Sequence, residues 1–333
     1  VMEVIGDMAR ALVLRTNQVR LRQEMDQLAV EVATGFVKDA GQHLHGDLTG
    51  LQSIDRSLAR LDTYRVNTTE ATFLSGTMQT ALSEIQDRSE TLSQSLIAAE
   101  LTPNSALLST MSDDAENALG QVLNGLNRSV AGRFLFSGTA TDREAVQGVD
   151  DVLNAARTAL SGQTDMAGIE AALDSFFGAG GTYETTVYQG SNTGLAPLKL
   201  SETESANLDI RATDPVFREV LKPMIMAALA TDGTLGLSQD VQIEMLTTAG
   251  QDLLAAQQDV VELRAGLGAL EARVEETTAR NSAEHTATNI ARLDLVGTDQ
   301  YYTASRYENI RTQLESLYTI TARSQRLSLA EFL

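Results

Sequence analysis

The sequence contains no cysteine and no tryptophan in its 333 residues. That excludes disulfides, thiolate metal ligands and thiol nucleophiles. Only three histidines are present, which leaves little for metal or hydrolytic chemistry. Prolines number four, so long stretches carry nothing that would break a helix. Positive charge is also scarce: 25 Lys+Arg stand against 45 Asp+Glu, a formal net charge of −20 with a pI near 4.5. A partner held by bulk electrostatics is therefore basic or neutral, and neither nucleic acid nor an anionic membrane fits. No apolar run approaches the ~18 residues of a spanning helix. Residues Val1 to Ala11 mix Glu3, Asp7 and Arg10 with apolar side chains and do not read as a signal peptide.

The acidic charge is unevenly placed. Residues 1–35 carry four Arg and five acids, and residues 301–333 carry four Arg and three acids. Both ends are nearly neutral, so the whole net charge of −20 sits between them. This pattern predicts a solvated acidic body with two ends suited to burial.

What the sequence has in abundance is helical periodicity at alternating three- and four-residue spacing. Ile5, Met8 and Leu12, then Leu21, Met25, Leu28 and Val32, predict a helix over 2–34 that stops at Gly35. From Leu51 the seam runs through Ile54, Leu58 and Leu61 to Met78, Leu82, Ile85, Leu92 and Leu96, with no proline before Pro103. A second helix is predicted to start near Ser112, Asp113 and Asp114 and to pack antiparallel on the first. The texture returns from Val241 with Leu253, Val260, Leu263, Leu267, Leu270 and Val274, and weakens over the polar run Thr277–Asn289. Tyr307, Ile310, Leu314 and Leu317 restore it near the end.

Between these helical parts, residues 142–232 hold three of the four prolines. A short helix is predicted over 150–160, a glycine loop over 178–181, and strands over 183–188, 195–200 and 208–211. The fold class is therefore mainly α: long antiparallel helical rods, coiled-coil-like, built from both chain ends, with a small inserted α+β domain. Residues 1–45 and 290–333 form the expected terminal coiled-coil domain, 46–141 and 233–289 the rod, and 142–232 the outer insert. A two-helix pair buries too little to offset its ordering entropy, so the ends are expected to need neighbours from other copies. The candidate subunit-interface residues are Ile5, Met8, Leu12, Met25, Leu28, Val32, Ile310, Leu314 and Leu317.

Chemical motifs are sparse. His43, His45 and Asp47 sit close in sequence but lack a third well-placed histidine, and a polar loop accounts for them. Asp113-Asp114 and Asp150-Asp151 are adjacent acids that point apart on a helix, which suits helix starts rather than acid–base catalysis. No catalytic, cofactor or metal set is predicted, and the chain does not read as an enzyme. One segment stands out: Gly132, Arg133, Phe134, Leu135, Phe136, Ser137 and Gly138, short apolar residues between glycines. It reads equally as an ordinary strand with glycine turns and as a hinge and contact motif after the helix, with Arg133 available to an acidic neighbour.

Together with Leu126-Asn127-Arg128-Ser129-Val130-Ala131 before it, that segment resembles the corresponding helix and Gly-Arg-aromatic-Leu-Phe-Ser-Gly string of the flagellin superfamily of bacterial flagellar axial proteins, specifically the hook–filament junction proteins, the third hook-associated proteins. Val187-Tyr188-Gln189-Gly190 is similar to a turn of their central domain, and Asp299 to Tyr307 with the Leu327-Ser328-Leu329 finish is similar to their C-terminal helix. After Ala33-Thr34-Gly35 the chain departs from the family, running Phe36-Val37-Lys38-Asp39. The resemblance implies a mechanical role outside the cell, in a ring of its own copies at the hook–filament junction. It further implies contacts with the first hook-associated protein and flagellin, export unfolded through the flagellar type III channel, and an export chaperone on the C-terminal helix. The other readings are a flagellin filament subunit and a secreted helical type III translocator-like protein, the latter requiring a long apolar membrane segment.

Overall fold

In the computed structural model, residues 2–99 and 104–332 are described, with side chains at Ala9, 12–99 and 104–323. The order is α1 (Met2–Thr34), α2 (Ala40–His43), α3 (Thr49–Ala98), α4 (Ser105–Leu126), a hairpin of β1 (Ser129–Val130) and β2 (Arg133–Phe134), α5 (Val149–Leu160) and α6 (Met166–Phe177). A π-helical turn (Tyr183–Val187), a second hairpin of β3 (Leu198–Lys199) and β4 (Ser205–Ala206), α7 (Pro215–Ala228), α8 (Gln239–Val296) and α9 (Gln300–Phe332) follow. The protein is mainly α, with long helices packed on one another and two short antiparallel hairpins. It divides into two compact units, residues 1–62 with 282–333, and residues 63–281.

In the first unit, α1 stops at Gly35, whose φ of +75° suits a residue without a Cβ and whose N–H donates to Glu31 O at 2.8 Å. The connector then pairs with the turn between α8 and α9: Val37 N donates to Val296 O at 2.9 Å and Thr298 N to Gly35 O at 2.9 Å. Asp39 caps α2 by accepting from Gln42 N. The parts of α3 and α8 in this unit are joined by polar pairs, Arg292 to Asp55 at 2.8 Å and His285 to Asp62 at 3.7 Å.

The second unit holds a large core. Met78, Leu82, Ile85, Leu92 and Leu96 of α3 join Leu246, Leu253, Val260 and Leu267 of α8 in one buried cluster with α4, α5, α6 and α7. Gly250 brings α8 close to α3, since a Cβ there would lie 3.0 Å from that of Leu96, and Ser93 donates to Gly250 O at 2.8 Å. Ser112 of α4 donates to the carbonyls of Ala227 and Ala228, satisfying the open end of α7. Phe136 meets Phe217 edge to face at 5.7 Å between ring centres.

Four local expectations are corrected. The second helix starts at Ser105, capped by the Asn104 side chain on Ala106 N, so Ser112 lies within it and is buried. Residues 183–188 are a π-helical turn, closed by Tyr188 N on Tyr183 O at 2.8 Å, rather than a strand. Burial at Tyr183, Val187 and Tyr188 with Thr185 exposed is a helical spacing, and the Tyr183 hydroxyl is fixed on Ala212 O at 2.8 Å. Of the other two predicted strands, only Leu198–Lys199 forms, and it pairs with Ser205–Ala206 instead of 208–211. Finally, α6 and α7 stand where no helix was expected. Met166, Ile169, Leu173 and Phe176 give α6 its buried face, and α7 carries Pro215 in its first turn and Pro223 inside.

Candidate assembly surface on the paired terminal helices

The first unit is built on α1 and α9 running antiparallel. Leu21, Met25 and Leu28 on α1 face Tyr307, Ile310, Leu314 and Leu317 on α9. These spacings of three and four define a single seam per helix. Charge and aromatic contacts flank it. Arg306 pairs with Glu24 at 2.7 Å, and Arg22 Nε donates to the Tyr318 hydroxyl at 2.9 Å with its guanidinium over that ring. Hydrogen bonds from Gln18 and then Arg22 hold the Tyr318 phenol below its ordinary range.

A second apolar stripe lies on α1. Leu12, Val19 and Val30 are exposed, Leu12 by 67%. Their separations of seven and eleven residues are near whole turns of a 3.6-residue helix, so they share one face. Leu21 and Leu28 fall roughly half a turn away, on the opposite face. The helix thus carries two apolar faces, of which α9 covers one. On α9, Tyr301, Tyr302 and Ile320 are exposed as well. The stripe on α1 is interrupted by the polar residues Thr16, Gln23 and Asp26 on the same face.

The candidate interface residues fall into distinct places. Leu28, Ile310 and Leu314 are buried within the chain's own helix pair, with Met25 and Leu317 packed beside them. Val32 is half-buried, and Leu12 alone of those described lies on the open face. Ile5 and Met8 have side chains outside the described residues. Val19, Val30, Tyr301, Tyr302 and Ile320 were absent from the sequence-based set. The seven-residue step from Leu12 to Val19 was the signal that would have found the first of them.

The Gly132–Gly138 motif folds in the second unit as a hairpin and its anchor. Ala131 and Gly132 form the two-residue turn with φ of +50° and +77°, and Val130 pairs with Arg133. Arg133 reaches Glu70 of α3 at 2.9 Å. Phe134 is half-buried and Phe136 fully buried. At Gly138, with φ of +61°, a Cβ would stand 2.4 Å from Ser191 O, so only glycine fits. Among the described residues no three His, Asp or Glu side chains are placed to hold a metal, and no helix is long and apolar enough to cross a membrane.

Residues 251–333, from within α8 through α9, match the family described as the bacterial flagellin C-terminal helical region. Among solved structures, the chain is similar to a protein described as a flagellar hook-associated protein from Vibrio parahaemolyticus, at 12% identity over 73% of this chain and 95% of that one, TM-score 0.47. It is also similar to FlgL of Bacillus cereus, at 12% identity over 71% of this chain and 96% of that one, TM-score 0.49. No curated protein matches the sequence. The family match thus covers the C-terminal quarter of this chain, the part that contains α9.

Proposed function

We propose that the protein is a structural, non-enzymatic subunit of the bacterial flagellar axis that joins the hook, through the first hook-associated protein, to the flagellin filament. The observation that carries this reading is the flagellin C-terminal match over a segment whose α9 pairs with α1 and leaves the Leu12–Val19–Val30 face uncovered. A helix pair with so small a core gains stability when neighbouring copies cover that face. The Gly132–Gly138 string supports the junction reading over a filament subunit. In this reading copies form a ring outside the cell, the segment 142–232 is the outward-facing insert, and the protein leaves the cell unfolded with an export chaperone on its C-terminal helix.

Gold-antibody labelling of isolated flagella tests it. A single spot at the distal end of the hook is the expected result. Label along the whole filament would assign the chain to the filament subunits, and flagella without label would overturn the axial reading altogether.

A further inference from the structure

Beside the helix pair of the first unit lies a cleft of about 380 Å³, walled by α1, the connector that carries α2, and the turn into α9. Its floor includes Leu28 and Glu31, both on α1 and both more than nine-tenths buried. Glu31 Oε1 accepts from Gln27 Nε2 at 2.9 Å and from Lys38 N at 3.3 Å, while Oε2 accepts no hydrogen bond among the described residues. On the wall, Thr298 Oγ1 is buried without a hydrogen-bond partner among the described residues. Burying a polar atom without a partner costs free energy. The cleft therefore leaves one buried polar group, the Thr298 hydroxyl, for a guest to satisfy beside the Glu31 carboxylate.

The charge balance names the guest. Asp39 and Asp299 on the rim add to Glu31, and the Arg306 guanidinium beside them is held by Glu24. His43 completes the rim. Lys38 is exposed, and its ammonium pairs with none of these carboxylates. The space exceeds that of a bare ion, and among the described residues no three carboxylate or imidazole groups are placed to ligate one. A guanidinium on an apolar stem matches it. Its N–H donors suit the Glu31 carboxylate and the Thr298 hydroxyl, and Leu28 and the exposed Tyr302 ring offer apolar surface to its stem.

Arginines of the right kind are present in the chain. Arg15 and Arg20 of α1 are exposed and hold no ion pair or side-chain hydrogen bond among the described residues. Within one copy they stand roughly 24 and 16 Å from Glu31 along the same helix, at 1.5 Å per residue. That is farther than an arginine side chain extends, so the guest comes from another molecule. We propose that the cleft receives the Arg15 or Arg20 side chain of a second copy, making Glu31 the buried anchor of a contact between copies. The inference deepens the axial reading, on which it rests for the existence of neighbouring copies.

Self-association of the purified full-length chain, followed by sedimentation velocity, tests it in three variants: E31Q, the double variant R15Q/R20Q, and the combination of all three. E31Q keeps the shape of the side chain and its contact with Gln27, and Arg15 and Arg20 lie on the surface, so melting curves should match the wild type. Each of the first two is expected to weaken association roughly tenfold or more, and the combination no further than the worse of them, because both remove one contact. Association unchanged in E31Q or in R15Q/R20Q, losses that multiply in the combination, or a wild-type chain that stays monomeric would each overturn the proposal. A chain that associates through this contact yet fails to label flagella would leave the cleft assigned and remove the axial reading instead.

Discussion

The two units differ in how much each can hide. Residues 63–281 bury Phe136, Phe176, Tyr183 and Phe217 together with the long α3–α8 seam, while among the described residues the α1–α9 cluster of the other unit buries Leu21, Leu28, Ile310 and Leu314, with Met25, Tyr307 and Leu317 packed beside them. Hydrophobic stabilisation scales with apolar area removed from water, roughly 25 cal/mol per Å². Among the described residues, that small cluster is set against the ordering of two 33-residue helices. The contrast is between a closed core and a thin seam, which on the proposed reading neighbouring copies complete. On that reading the exposed Leu12, Val19 and Val30 of α1 are where the neighbour attaches.

The largest effect that sharpens this contrast belongs to the complete core. Replacing Phe136 by Ala removes a fully buried ring from its edge-to-face contact with Phe217. A loss of about 3–5 kcal/mol is expected in the main denaturant transition of the full chain. The mirror experiment replaces Leu314 and Leu317 by Asp. The pair α1–α9 loses its seam, assembly into flagella is expected to vanish, and the main transition should stay where it is, because those residues belong to the other unit. Loss of the main transition in that variant would break the distinction between the units. Smaller again is the substitution of Leu12 and Val19 by Asp on the open face. The isolated chain should change by less than about 0.5 kcal/mol, as surface sites do, while flagellar labelling falls. Labelling at the wild-type level would show that the stripe is not a contact surface.

The residues explain which parts of this were visible beforehand. The seam at Tyr307, Ile310, Leu314 and Leu317 was legible because threes and fours are the signature of a covered helix face. The same reasoning merged the two faces of α1: Leu12 was grouped with Leu28, although the helix turns them to opposite sides. Strand-like composition misled at Tyr183–Val187, where a buried hydroxyl on Ala212 O and burial at helical spacing overrode β-branched propensity. The helix α7 was hidden by Pro223, which is usually a breaker. Its burial among α4, α6 and Phe136 outweighs the lost hydrogen bond. The polar run from Thr277 offered a weak core face in sequence, and the reason lies far along the chain, in the β3–β4 hairpin.

That hairpin carries the smallest and most specific test of the comparison. Asn67 of α3 donates to Lys199 O at 2.8 Å, Asn281 of α8 donates to Leu200 O at 2.8 Å, and Glu204 accepts from Thr277 and from Arg280. Where apolar seam is lacking, polar bonds thus fasten both helices to one strap. The Thr277 hydroxyl first and the Arg280 guanidinium second hold the Glu204 carboxyl below the usual carboxylate range. A group that binds its proton more weakly when folded adds stability that is fully present above its unfolded pKa and lost as pH falls through the lowered folded value. The wild type should therefore lose melting temperature on acidification through the carboxylate range, and Glu204→Gln should show a shallower fall while keeping the Thr277 contact. Since Glu204 lies on the surface, the difference is small and is read as a slope in melting temperature against pH. Equal slopes in the two proteins would mean that the strap is held by Asn67, Asn281 and its buried Leu200 alone, and that the second unit is closed by packing throughout.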